Sequence, residues 1–164
     1  MKNKTTWIAS LALGAMFFLN SCSSKNENIK VAEFTAEEIQ QGEKLFTKVC
    51  TKCHRTSPPK SQEDRKSMLA PPIMGVMFHV NDGIKAEPEN KKQKVIDFIV
   101  DYAHNPSAEK SFCEKGAIKR FGVMPTQKEN ITKEELTLVA HYLYQKYPAK
   151  DLDHTKLQKQ IHGN

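Results

Sequence analysis

Two cysteines and a histidine stand within five residues of this chain, in the run Cys50-Thr51-Lys52-Cys53-His54. Two thiols three positions apart can each add across one vinyl group of a haem, forming two thioether bonds from one turn of chain. The histidine that follows directly can then bind the iron as an axial ligand. The run is therefore typical of a covalent attachment site for haem c, with Cys50 and Cys53 as thioether donors and His54 as the proximal ligand.

Paired cysteines also occur in other kinds of site, and the surrounding sequence argues against them here. A thioredoxin-like Cys-x-x-Cys motif opens a helix after a strand, whereas this motif follows a helical pattern. A structural zinc site needs four ligands, and Cys22 and Cys113 each stand alone in the sequence. A chance match is the third interpretation. Cys113 is interpreted as a small buried hydrophobic residue, with a reactive thiol as the alternative.

The first 21 residues have the pattern of an export signal. Lys2 and Lys4 precede an apolar run over residues 7–19, which is shorter than the ~20 residues that span a membrane. The run Leu19-Asn20-Ser21-Cys22 resembles the lipobox of bacterial lipoproteins. The resemblance implies cleavage before Cys22 and lipidation of that residue. An ordinary secretory signal, in which Cys22 is incidental, is the alternative.

Length and composition predict four parts in the chain of 164 residues. Residues 1–21 form the signal peptide, 22–34 a polar lipidated tether, 35–147 one folded domain and 148–164 a polar tail. The formal net charge is +6. No basic stripe with interleaved aromatic residues accompanies this charge, so the composition gives no argument for nucleic-acid binding.

Apolar periodicity and capping residues predict three main helices. The first begins at a capping box of Thr35 and Glu38 and leads into Cys50. The second runs over about residues 91 to 104 and ends before the next proline. The third begins at a capping box of Thr132 and Glu135 and ends before Pro148.

The segments between these helices are predicted to be mostly irregular. Residues 55–69 are polar and indicate a surface loop with one short turn at most. Residues 74–80 form a short apolar run, which is interpreted as chain that lines the cofactor crevice; a strand is the alternative, although one short run does not make a sheet. A short helix is expected over residues 107–120.

Taken together, these motifs resemble the mono-haem c-type cytochromes of class I, over about residues 35 to 147. The resemblance implies an all-α, cytochrome c-like domain of three main helices and long loops around one covalently bound haem. It places Gly42 and Phe46 where the first helix crosses the last. It also implies that the carbonyl of Pro72 accepts the outer N–H of His54; a simple loop break by the two adjacent prolines is the alternative.

The sixth iron ligand is predicted to be Met124. This residue directly precedes Pro125 on a segment that leads into the last helix, which resembles the Met-Pro loop of the same family. A thioether is a soft donor that suits low-spin haem iron. His79, His104 and His141 are the alternatives, with His79 the main competitor and His141 expected to be exposed on the last helix.

With both axial positions filled, the expected function is outer-sphere electron transfer rather than catalysis. The sequence predicts a membrane-tethered electron carrier of a respiratory chain in the bacterial cell envelope, docking to redox partner proteins or a respiratory complex. The alternative is a haem c sensor or enzyme subunit with a labile or vacant sixth position. A set of basic residues near the haem-bearing segments would steer an acidic partner: Lys48, Lys52, Lys115, Lys119 and Arg120.

Overall fold

The structure, a computed structural model, describes residues 33–149 and Thr155. The described residues form six α-helices and no strand: α1 (Ala36–Val49), α2 (Gln62–Lys66), α3 (Ile73–Gly83), α4 (Pro88–His104), α5 (Lys115–Phe121) and α6 (Lys133–Lys146). A 3₁₀ turn over Cys50–Lys52 follows α1. The predicted all-α class is therefore confirmed for this part of the chain. Cys22, the signal peptide and nearly all of the tether and tail lie outside the described residues.

Both predicted capping boxes are present, and they fix where α1 and α6 begin. The amide of Glu38 donates to the Thr35 hydroxyl at 3.2 Å, and the Glu38 carboxylate accepts from the Thr35 amide at 2.8 Å. Thr132 and Glu135 make the same reciprocal pair, at 3.2 and 3.0 Å. Each pair satisfies two backbone N–H groups that the helix start would otherwise leave without a partner in the protein.

Helices α1 and α6 cross in direct backbone contact at Gly42. A Cβ built on this glycine would lie 2.2 Å from the carbonyl oxygen of Leu138, so only a residue without a side chain fits. Phe46 packs next to the crossing, with its ring 5.7 Å from that of Tyr142. The predicted crossing is confirmed. It sets the direction in which α1 delivers the chain to Cys50.

Helix α4 forms the third side of the core. It begins three residues earlier than predicted, with Pro88 in its first turn, and it ends at His104 as predicted. Helix α6 packs against both α1 and α4. The largest fully buried side chains come from several helices: Phe46, Met77, Val95, Ile96 and Val139.

Residues 74–80 are neither a strand nor a loop but belong to the helix α3, which the sequence did not predict. Its buried apolar residues, Ile73, Met77 and Val80, recur at helical spacing. The amides of Gly75 and Val76 both donate to the carbonyl of Pro72, which starts the helix. An apolar run this short has too little polar contrast to reveal its period in the sequence.

Two smaller differences concern the connecting segments. The loop over residues 55–69 contains the five-residue helix α2, whose first turn is capped by the Ser61 hydroxyl. The short helix expected over residues 107–120 begins only at Lys115 and ends at Phe121. Gly122 follows it with φ at +74°, a conformation that glycine adopts without steric cost.

None of the helices in the described residues is both long and apolar enough to cross a membrane.

Candidate functional site

A mainly apolar cavity of about 370 Å³ lies among the helices. Its wall combines residues from α1, α3, α4, α5 and α6 with residues of the connecting loops. Large apolar side chains such as Phe46, Ile73, Phe98 and Leu143 dominate this wall, and Lys52 is the one charged residue among its described lining. Cavities of roughly 300–1,000 Å³ with a few convergent polar groups are typical of small-molecule and cofactor sites.

Four residues singled out from the sequence meet in this cavity. Cys50, Cys53, His54 and Met124 all line it, although Met124 is far from the other three along the chain. They place two thiols, one imidazole and one thioether around a single apolar space. Pro72 does not line the cavity, whereas the adjacent Pro71 does.

The end of α1 and the turn that follows present the two thiols. The amides of Cys53 and His54 both donate to the carbonyl of Cys50, at 3.2 and 2.9 Å, which closes a tight turn around the motif. Cys50 is half-buried and Cys53 is exposed, and both are free thiols. The turn therefore keeps both sulfur atoms in one short stretch at the cavity wall.

The electrostatic environment keeps the Cys50 thiol protonated. Burial and, to a smaller extent, the neighbouring Cys53 raise the pKa of Cys50 to about 11. The residue also lies at the C-terminal end of α1, where the helix dipole disfavours a negative charge. Thiol–disulfide enzymes need the opposite, a thiol whose pKa is lowered at a helix N-terminus. The arrangement does not favour a nucleophilic Cys-x-x-Cys site.

His54 is held in one tautomer by a backbone carbonyl. Its Nδ1–H donates to the carbonyl oxygen of Pro71 at 2.8 Å. Burial lowers the pKa of His54, and the hydrogen bond to Pro71 opposes this shift. The ring is therefore neutral at pH 7, and because Nδ1 carries the proton, Nε2 keeps a lone pair for a metal.

The acceptor for His54 is Pro71, so the prediction of Pro72 is wrong. The carbonyl of Pro72 points into the first turn of α3, where it accepts from Gly75 at 3.0 Å and Val76 at 3.2 Å. Pro72 is the last residue before α3, and its carbonyl accepts the first hydrogen bonds of that helix. The carbonyl one residue earlier remains available to the imidazole.

Met124 lies on an irregular segment between α5 and α6. We call residues 122–131 the Met124 loop; the described structure assigns no helix to them. The Met124 side chain is half-buried and lines the cavity. Met77 also lines the cavity, but it is carried by α3, which begins two residues after Pro71, the residue whose carbonyl holds the His54 ring.

The three alternative histidines are not part of the described cavity wall. His104 is buried and its Nε2–H donates to the carbonyl of Ile131 at 2.9 Å. The expectation that His141 is exposed is wrong: it is 4% exposed and stacks on Phe34, with ring centroids 3.5 Å apart. Burial, with a smaller effect from Lys92, lowers the pKa of His141 to about 4.

Sequence reasoning did not connect Cys113 or Leu69 with the site, yet both line the cavity. Cys113 is half-buried, and burial is the main cause that raises its pKa. Leu69 is 69% exposed at the wall. No local pattern marks either residue, since both reach the cavity on irregular chain. Among residues 33–149 and Thr155, no three His, Cys, Asp or Glu side chains form a cluster that could hold a metal ion alone.

Two known proteins are similar to this chain over most of its length. An uncharacterized protein of Aquifex aeolicus (strain VF5) is 31% identical over 135 residues, which cover 76% of this chain and 84% of the relative. Photosystem II extrinsic protein V of Trichodesmium erythraeum (strain IMS101) is 27% identical over 122 residues, covering 72% and 66% of the two chains. No family model matches the chain, and no solved structure matches it.

Proposed function

We propose that this chain, which belongs to the same family as the uncharacterized Aquifex aeolicus protein, is an electron carrier with one covalently bound haem c. The observation that carries the proposal is the meeting of Cys50, Cys53, His54 and Met124 in one apolar cavity. The first three are adjacent in sequence and could meet in any fold. Met124 could not, because only tertiary structure brings it to the same cavity.

The chemistry of the donors supports a haem more than a protein-only metal site. A haem brings four nitrogen ligands of its own and needs only one or two from the protein, here the imidazole of His54 and the thioether of Met124. The thiols of Cys50 and Cys53 are then free to bond to carbon rather than to metal. The protonated state of Cys50 suits a residue that forms a thioether and afterwards carries no charge.

The surrounding residues would tune the site in defined ways. Haem iron supplies one-electron redox chemistry when it is bound. Pro71 orients the His54 ring and makes its Nε2 the better donor, as outer hydrogen bonds of metal-binding histidines do. The apolar wall excludes water, which lowers the reorganisation that accompanies a change of charge. Met124 would hold the sixth position of a bound haem and would exclude small molecules from it.

We infer a cytochrome c-like domain, supported by the crossing of α1 and α6 at Gly42 and by the His54–Pro71 hydrogen bond. We further propose that Cys22 is lipidated and tethers the domain to a membrane of the bacterial cell envelope. Redox proteins, free or in a respiratory complex, would then be its partners. Such encounters bury little surface and are short-lived.

The first experiment asks whether the cofactor is covalent. The full chain is expressed with its signal in a host that exports and matures c-type cytochromes, then denatured and extracted with acid–acetone. Haem absorbance should stay with the polypeptide in the wild type. It should be absent from the double variant Cys50→Ala, Cys53→Ala. Colour that leaves the wild-type chain on extraction would falsify the proposal.

The second experiment separates a carrier from a sensor or enzyme. A methionine–iron charge-transfer band in the far red of the oxidised protein is expected for the wild type. The band should be lost in Met124→Ala and retained in Met74→Leu, because Met74 does not line the cavity. A wild-type protein with high-spin iron and rapid carbon monoxide binding would instead indicate a labile or vacant sixth position.

A further inference from the structure

Three hydrogen bonds fasten the Met124 loop to the last turn of α4. The Thr126 hydroxyl donates to the carbonyl of His104 at 2.7 Å. The amide of Gln127 donates to the carbonyl of Ala103 at 2.8 Å. The Nε2–H of His104 donates to the carbonyl of Ile131 at 2.9 Å. Two of the three therefore involve His104, once through its backbone and once through its ring.

The position of His104 points to a structural connection with the methionine rather than to a ligand. The residue is 7% exposed and is not part of the described cavity wall. Its ring bridges from the end of α4 to the end of the Met124 loop, just before α6 begins. Thr126 and Gln127, which make the other two bonds, lie two and three residues after Met124.

We propose that His104 and Thr126 are positioning residues, which hold the Met124 loop closed and so keep the Met124 sulfur at the sixth position. This inference rests on the proposed function. A loop that forms no helix and has few backbone hydrogen bonds of its own opens locally at low cost, and its opening is limited by the bonds that tie it to rigid elements. Removing one such bond leaves a buried carbonyl without its partner and favours the open loop.

The test measures how fast the sixth position opens. Imidazole is added to the oxidised, haem-loaded full chain, and its binding rate at saturating concentration reports the opening of the loop. We expect His104→Met, which keeps length but lacks a donor, to bind imidazole about tenfold faster, as the loss of one hydrogen bond implies. Thr126→Val, which keeps shape but lacks the hydroxyl, should show a rise of similar size.

Conservative variants distinguish positioning from general disruption. His104→Gln and Thr126→Ser keep a donor at each place, and their rates should return toward that of the wild type. Tyr142→Phe serves as the stability control, since Tyr142 donates to Glu43 between α1 and α6 and does not line the cavity. Equal acceleration in Tyr142→Phe, or none in both His104→Met and Thr126→Val, would overturn the inference.

A second measurement tests the fastening without reference to iron. Amide hydrogen exchange at Gln127, whose N–H donates to Ala103, should be faster in His104→Met and Thr126→Val than in Tyr142→Phe. Unchanged exchange would contradict the inference even if the iron were ligated differently from our proposal. A wild-type protein with no methionine–iron band would contradict only the proposed ligation by Met124. Amide exchange at Gln127 would then still test whether His104 and Thr126 hold the loop closed.

Discussion

Different forces hold the two regions that carry the residues of the proposed haem site. One region is the α1–α6 pair, which leads into Cys50, and the other is the Met124 loop. Helices α1 and α6 touch through backbone at Gly42 and bury Phe46 between them. The Met124 loop forms no helix; three hydrogen bonds tie it to α4, and its last residue, Ile131, is buried in the core. A packed helix pair opens only when the whole domain unfolds, whereas a hydrogen-bonded loop can open alone.

This difference matches the chemistry that each region is proposed to carry. The end of α1 presents Cys50, Cys53 and His54, whose bonds to a haem would be permanent or nearly so. The Met124 loop would present a ligand that can dissociate. Substitutions in the first region should therefore change global stability, and substitutions in the second should change the rate at which the sixth position opens.

The largest effect is expected from Gly42→Ala, which breaks the helix crossing. A methyl group 2.2 Å from the Leu138 carbonyl cannot be relieved by a rotamer change, because the obstacle is backbone. We expect a loss of about 3 kcal/mol in the free energy of unfolding, which is near the upper end of the usual range for substitutions that overpack a core. Denaturant titration of the haem-loaded protein measures it.

Gly116→Ala is the matched control for this substitution. Gly116 lies in α5, and nothing approaches within 4 Å of a Cβ built there. The alanine should be neutral or should stabilise by up to about 1 kcal/mol, because it favours the helical backbone. If both glycines tolerate alanine equally, backbone contact at the crossing is not what holds α1 against α6.

The sequence predicted these two regions with unequal success, for a physical reason. Capping boxes and the five-residue cysteine motif are local patterns, so Thr35, Thr132 and the three residues of the motif could be interpreted without tertiary information. Met124 could be singled out only by resemblance to a family, since nothing in its neighbourhood but a proline marks it. Cys113 shows the limit, because its place at the cavity depends entirely on long-range packing.

The errors have the same origin. The choice between Pro71 and Pro72 depends on which carbonyl α3 uses for its first turn, and the start of α3 is hidden in a uniformly apolar run. The burial of His141 depends on Phe34, which reaches α6 from the segment before α1. Neither fact is encoded near the residue concerned.

His141 should make the free energy of unfolding depend on pH, and we expect this effect to be of intermediate size. Burial and Lys92 on α4 lower the pKa of His141 to about 4, against the smaller opposing effect of Glu38 on α1. The unfolded chain then binds more protons than the folded one between about pH 6.5 and 4. The contribution of this residue to stability is present above pH 6.5 and is lost as the pH falls through 4.

His141→Phe should remove this dependence while keeping the stacking on Phe34. We expect the wild type to lose about 2 kcal/mol more than the variant between pH 7 and pH 4. Chemical denaturation at a series of pH values gives both curves. Parallel curves would mean that His141 protonates as easily in the folded protein as in the unfolded one.

The smallest effect is expected from Tyr142→Phe, which removes the polar contact between α1 and α6. The Tyr142 hydroxyl donates to Glu43 at 3.1 Å, and the ring packs on Phe46. Losing one partly exposed hydrogen bond should cost about 1 kcal/mol of unfolding free energy, because packing at Gly42 is retained. Glu43→Gln keeps an acceptor oxygen and should cost less. The imidazole-binding rate should match that of the wild type, since the Met124 loop keeps its three bonds to α4; a faster rate in Tyr142→Phe would show that the two regions open together.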